Sequence, residues 1–261
     1  MPNPFFDNIE RWKALADVDY FTQFMKAWLV FNAWMSTTTG ETADRTMLNA
    51  IKQHENPFKN KILSFLNSTS TDGSLFRNNI GKLHQELETT YIHNKGEKIS
   101  FFDAYIEQSS NSPNHSFTYR RITFTVERQR ASGESGTESR VVRSNGHYIF
   151  REVQAQYDME ELLEFESYKH MSYDHQASLK SCYEYVNPRV YRNLISDNPD
   201  DIPLNENLFL TNEGETACKG LIEILYKIRC VLFHGDIVPN RDTNRIYEAS
   251  YHILKQLIDT L

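Results

Sequence analysis

The run Phe24-Met25-Lys26-Ala27-Trp28-Leu29-Val30-Phe31-Asn32-Ala33-Trp34-Met35 is apolar on nearly every side of a helix, and such a helix belongs where protein surrounds it. Residues 8–36 are therefore expected to form a helix at the centre of the fold. Asn8 can cap it; Arg11 at the third position excludes a capping box. A chain of 261 residues can bury a core of that kind. No apolar run approaches the roughly 20 residues that span a bilayer, and the start, MPNPFFDNIERWK, lacks the apolar centre of a signal segment. A cytoplasmic protein without membrane contact is the expectation. Cys182, Cys218 and Cys230 are scattered and odd in number, which suits reduced thiols and neither a disulfide frame nor a thiolate metal site.

Further helical patterns occupy residues 44–67 and 74–94, with Pro57 breaking the first, and a shorter one is expected at 99–108. STTTGETAD (36–44) reads as a linker. Helices resume at 158–182 and 186–196, and SDNPDDIPLNEN (196–207) reads as an acidic loop. Between them the pattern changes. Residues 117–129 and 138–153 are rich in Thr, Val, Ile, Phe and Tyr and alternate in polarity, as strands do. Asn145-Gly146 signals a turn, and ASGESGT a flexible loop. The expectation is a mainly α helical bundle forming one domain over 1–261, with a β-hairpin-like insertion near 115–154.

That insertion holds Arg120, Arg121, Arg128, Arg130, Arg140, Arg143 and Arg151 against Glu127, Glu134, Glu138 and Glu152, in a chain of net charge −7. An overall charge of that sign does not suit whole-surface nucleic-acid binding, so any RNA site must be a local basic patch. Arg120, Arg121, Arg128, Arg140 and Arg143 are the candidate RNA contacts; cross-strand Arg–Glu pairs on a solvated sheet face are the alternative.

The clearest amphipathic pattern is 212–234, where Leu221, Leu225, Ile228 and Leu232 recur at helical spacing. Gly235 suits a left-handed stop and Pro239 prevents resumption. Asp242 or Thr243 can cap a final helix, striped by Ile246, Ala249, Ile253, Leu254, Leu257 and Ile258. At the end of the first of these two helices stand Arg229 and His234. An Arg–His pair with four to six residues between is a weak signal, because 15 arginines and 9 histidines produce such pairs by chance, as at Arg77/His84 and Arg140/His147. Context distinguishes Arg229/His234: its histidine lies in the last turn, where a helix favours positive charge, although a histidine there can also simply cap carbonyls.

The run IRCVLFHGD, the following Asn240-Arg241-Asp242 and helix, and the early run KAWLVFNAWMS resemble HEPN domains, a superfamily with an Arg-x4–6-His motif found in bacterial toxins and antiphage defence proteins. The resemblance covers residues 20–36 and 217–260. It implies a helical bundle, a homodimer whose two motifs share a cleft, and metal-independent RNA cleavage to 2′,3′-cyclic phosphate and 5′-hydroxyl ends without a cofactor. Arg229 would hold the phosphate and His234 would move the proton. Cys230 departs from the Asn, Asp or His that often follows the family's arginine. Supporting roles fall to Asn32, Lys227, Cys230 and Asp236, each of which also reads as ordinary core or surface.

On an ideal helix, residues five apart point roughly 140° apart. Either the last turn unwinds at Gly235, or the site is composite across a twofold axis. No HExxH, Walker loop or nucleophile elbow competes, and His170/His175 lack the spacing of a helical zinc pair. The expected function is a metal-independent endoribonuclease acting as a toxin or abortive-infection effector. The alternatives are a non-catalytic HEPN domain binding RNA, nucleotide or a protein partner in a defence or toxin–antitoxin complex, and an antitoxin-like regulatory subunit.

Overall fold

The computed structural model describes residue 9 and residues 18–94, 96–128 and 136–261; the proposed Asn8 cap, Arg11, Arg130 and Glu134 lie outside them. The described residues are 52% helical and 20% strand, with four antiparallel sheets. The expectation of a mainly helical bundle is thereby corrected to a mixed α/β fold. Two compact units form, one from residues 1–106 and 191–261, the other from residues 107–190. No helix among the described residues is long and apolar enough to cross a membrane.

The first unit contains α1 (Tyr20–Thr39), α2 (Asp44–Gln53), α3 (Pro57–Asn67), α4 (Thr71–Thr90), and, after the chain returns, α8 (Gly214–His234) and α9 (Arg241–Ile258). Asp19 caps α1 through the Thr22 amide. Pro57 does not kink a long helix but begins α3 at its first position, with Asn56 accepting from the Lys59 amide. Asn240, rather than Asp242 or Thr243, caps α9 in a reciprocal capping box with Thr243. Gly81, within α4, lets β10 (Ile202–Asn205) approach, since a Cβ there would sit 3.3 Å from Leu204 Cβ.

Residues 99–108 and 186–196 are not helical. They contribute β3 (Ala104–Gln108), β8 (Arg189–Arg192) and β9 (Ile195–Ser196), and the acidic loop at 196–207 carries β10, which joins β9 and β11 (Leu208–Leu210) in a three-stranded sheet. A small hairpin, β1 (His93–Asn94) with β2 (Glu97–Lys98), follows α4. These strands have two to five residues, too few for a period-2 pattern to stand out.

The roles expected of two helices are exchanged. α8 is buried on almost every side from Ala217 to Leu225, whereas α1 buries Phe24, Ala27, Trp28, Phe31 and Met35 and leaves Met25, Leu29 and Val30 exposed. The reason is a charge. Glu223, in the middle of α8 and 1% exposed, receives Arg45 through both carboxylate oxygens (2.9 and 2.8 Å) and Lys52 at 3.2 Å. With its partners supplied by α2, a carboxylate can occupy the core face that composition alone would deny it. Trp28 against Tyr226, Phe24 against Tyr247, and the Tyr247 hydroxyl donating to the Ile228 carbonyl at 3.1 Å join α1, α8 and α9.

The second unit is larger than the expected insertion. Its antiparallel sheet runs β4 (Asn114–Tyr119), β5 (Ile122–Glu127), β6 (Thr137–Arg143), β7 (Tyr148–Gln154), and is followed by α5 (Met159–Glu164), α6 (Glu166–Lys169) and α7 (Tyr173–Tyr185). The stretch 117–129, read as one strand, turns back at Arg120-Arg121. Register aligns Phe117, Phe124, Val141 and Phe150 on one face, where they pack with Leu162, Leu179, Cys182 and Tyr183. The other face carries Ser116–Thr125 and Thr118–Thr123 hydroxyl pairs and Arg–Glu bridges. Burial pushes the Cys182 thiol up to about 11, and that of Cys218 in the first unit up to about 12.

Removing the Glu223 carboxylate strands Lys52, itself 2% exposed. Glu223→Ala is expected to lower unfolding free energy by about 3 kcal/mol or more; urea denaturation checks this, and a loss below about 1 kcal/mol contradicts it. His84 is buried in α4 with Nδ1 unpaired among the described residues and its ring edge-on to Phe101 and Phe102. Desolvation pushes its imidazole below the ordinary 6.5, against the attraction of Glu88 and alongside the repulsion of Lys98. The unfolded chain therefore binds the proton more readily, so stability falls as pH drops through 6.5. Denaturation midpoints measured from pH 8 to pH 5 are expected to fall less in His84→Leu than in the unsubstituted protein.

Candidate functional site

α8 stays regular through its last residue, His234, and stops where Gly235 adopts φ 73°, a left-handed conformation that costs an L side chain but not glycine. The Gly235 amide bonds the Leu232 carbonyl and the Asp236 amide bonds that of Val231. The last turn is not unwound. Arg229 and His234 consequently remain roughly 140° apart around one axis, and one chain does not converge them on a single phosphate.

Their surroundings differ accordingly. Arg229 is only 17% exposed; its Nη2 lies 2.8 Å from Asp44 Oδ2 at the start of α2, and its guanidinium stacks 4.4 Å from the centroid of Phe233. Nη1 approaches Cys230 Sγ at 4.0 Å, and Nε has no hydrogen-bond partner among the described residues. His234 is exposed, between exposed Phe233 and, four residues on, exposed Val238. The guanidinium is thus held by the protein and the imidazole is offered to solvent.

The supporting residues separate. Cys230 is buried one turn after Tyr226, whose phenol burial pushes up to about 12. Asn32 is half-buried, with Oδ1 unpaired among the described residues, as is Trp28 Nε1 one turn earlier. Lys227 points elsewhere: its Nζ is 2.9 Å from Glu97, which also accepts from Tyr191 at 3.0 Å. Asp236 is exposed, with its backbone in the helix stop. Of the candidate RNA-contact arginines, Arg140 bridges Glu127 at 2.6 Å and Glu138 at 3.8 Å, and Arg128 Nε donates to the Val186 carbonyl. Arg120, Arg121 and Arg143 are exposed together at one end of the sheet.

Asp44, Tyr226 and Phe233 were not singled out from the sequence. Tyr226 stands four residues before Cys230, and Asp44 occupies the first turn of a helix, a place where acids are common for dipole reasons alone. A further pair within the four-to-six-residue spacing also went unremarked. Arg245 and His252, seven apart and therefore on one face of α9, line a cleft with Glu248 and with Asn79, Lys82 and Glu86 of α4. Two carboxylates balance its two cations, which leaves little field to draw a phosphate. No protein-family model, curated protein or solved structure matches the chain.

The Arg229–Asp44 bridge joins two partly exposed groups, so its coupling is expected to be modest. A double-mutant cycle with Arg229→Ala and Asp44→Ala should give about 1 kcal/mol or less. A coupling above about 3 kcal/mol would make Arg229 chiefly a structural residue.

Proposed function

We propose that this protein is a metal-independent endoribonuclease of the HEPN type, acting in the cytoplasm as a homodimer and serving as a toxin or abortive-infection effector. The observation that carries the reading is the disposition of α8: a guanidinium fixed by Asp44 and Phe233, and an exposed imidazole at the helix end, turned too far apart for one chain to use both. A twofold axis past the end of α8 brings the imidazole of one copy to the guanidinium of the other. Exposed Phe233 and Val238 beside His234, and the apolar Met25, Leu29 and Val30 left open on α1, suit burial against a second copy.

In the cleft so formed, the RNA 2′-oxygen attacks phosphorus as one imidazole takes its proton. The bond to the 5′-oxygen breaks as that oxygen takes a proton from water. The products are a 2′,3′-cyclic phosphate and a 5′-hydroxyl. Arg229, held in place by the Asp44 bridge, stabilises the charge that builds on the non-bridging oxygens.

One observation favours the alternative of a non-catalytic HEPN-like module that binds RNA, nucleotide or a partner protein: Asp44 already neutralises Arg229, and the following Cys230 is buried. RNA cleavage in EDTA separates the two. Activity should persist in the chelator and fall by about 100-fold or more in Arg229→Ala and in His234→Ala, while His252→Ala retains it. Equal background in all variants supports the binding module, and loss confined to His252→Ala moves the site to the α4–α9 cleft.

A further inference from the structure

The turn between β4 and β5 is built from two arginines. Tyr119 pairs with Ile122, and Arg120 and Arg121 between them have φ of 49° and 65°. A two-residue hairpin with both central residues at positive φ is the type I′ arrangement, for which Asn-Gly is the favourable pair. Two arginines are a poor choice for the backbone. Their presence there is not explained by turn formation, nor by packing, since both are exposed.

The neighbouring turn completes a patch. Ile122 pairs with Arg143, and the Ser144 amide donates to the Arg121 carbonyl at 3.0 Å, so the β4–β5 and β6–β7 turns lie side by side. Residues 119–122 and 143–148 together contain three arginines, one histidine and no acid, in a chain of net charge −7. Among the described residues, the acid that pairs with this end of the sheet is Asp174, 3.8 Å from Arg120, with both side chains about 70% exposed; water screens such a pair heavily. Arg121 and Arg143 make no ion pair among the described residues. Tyr119 and Tyr148 are each nearly half exposed, and the Arg120 guanidinium lies 5.0 Å from the Tyr119 ring.

Contrast with the open face of the same sheet sharpens the point. There Arg140 and Arg151 are matched to Glu127 and Glu138, whereas at the end of the sheet three arginines meet one exposed carboxylate, that of Asp174, among the described residues. Cations that can track a backbone of phosphates, with aromatic faces on which bases can stack, are the elements of a single-strand binding surface. We infer that the paired turns at Arg120-Arg121 and Arg143–Tyr148 form a single-stranded RNA-binding surface, in which the arginines hold phosphates and Tyr119 and Tyr148 stack on bases. The choice of RNA over DNA rests on the ribonuclease reading above.

The turn chemistry supplies a clean test. Arg120→Asn with Arg121→Gly removes two charges while giving the turn its preferred residues, so the full-length variant should melt no lower than the unsubstituted protein. Binding is measured by fluorescence anisotropy with a fluorescein-labelled oligouridylate, in a His234→Ala background that keeps the RNA intact. Affinity should fall about tenfold or more at low salt, and the slope of log affinity against log salt should shrink by about 1.4, roughly 0.7 for each lost phosphate contact. Arg143→Gln, a single change at a strand end, should weaken binding in the same sense. Unchanged affinity and slope in both variants, absence of oligouridylate binding in the parent, or equal affinity of a labelled polyglutamate for the parent would overturn the inference. Cleavage is read separately with His234 intact. RNA bound through this surface but not cut leaves the inference standing and removes only the nuclease.

Discussion

A carboxylate in the middle of α8 organises the first unit. Glu223 is acceptable inside the protein only because Arg45 and Lys52 meet it there, and isolated charges of that kind do not remain in a core. Meeting these partners fixes the rotation of α8 against α2. The same rotation carries Tyr226 over Arg45 (4.4 Å from guanidinium to ring centroid) and, at 2.8 Å, Arg229 onto Asp44, the residue preceding Arg45. The direction in which the motif arginine points therefore follows from an ion pair nearly two turns earlier in the helix. Because α8 continues unbroken to Gly235, the direction of His234 follows as well.

This rotation has a cost for α1. With α8 taking the central position, the apolar run at 24–35 packs by one side only, and Met25, Leu29 and Val30 face solvent. In the dimer proposed above, apolar surface of this kind would be covered by the second copy. The divergence of the two motif side chains and the uncovered side of α1 are consequences of one packing arrangement.

Much of the first unit was legible as helix. The periodic stripes at 212–234 and after 241, the glycine stop, and the Pro57 break all correspond to elements, because each rests on local chemistry that tertiary structure seldom overrides. What local chemistry cannot express was misjudged. Glu223 was passed over, because its partners Arg45 and Lys52 lie some 170 residues away in sequence. β8 to β11 are too short for alternation to register, and Arg120-Arg121 lacks the Asn or Gly by which a hairpin turn is recognised, so two strands read as one. Of the candidate site, the Arg229–His234 pair and its helix end could be read from the chain. Asp44 could not, because an acid beginning a helix needs no partner to explain it, and neither could the bridge from Lys227 to Glu97, which spans distant segments.

The central claim, that the guanidinium and imidazole of one working site come from different copies of the chain, is tested most directly by mixing two inactive proteins. Arg229→Ala and His234→Ala are combined one to one under conditions that exchange subunits, and RNA cleavage is followed in EDTA. A composite site is restored in one half of each mixed dimer, so activity should return to about a quarter of that of the unsubstituted protein. Dimers that exchange freely yet cleave no more than either variant alone would contradict the account.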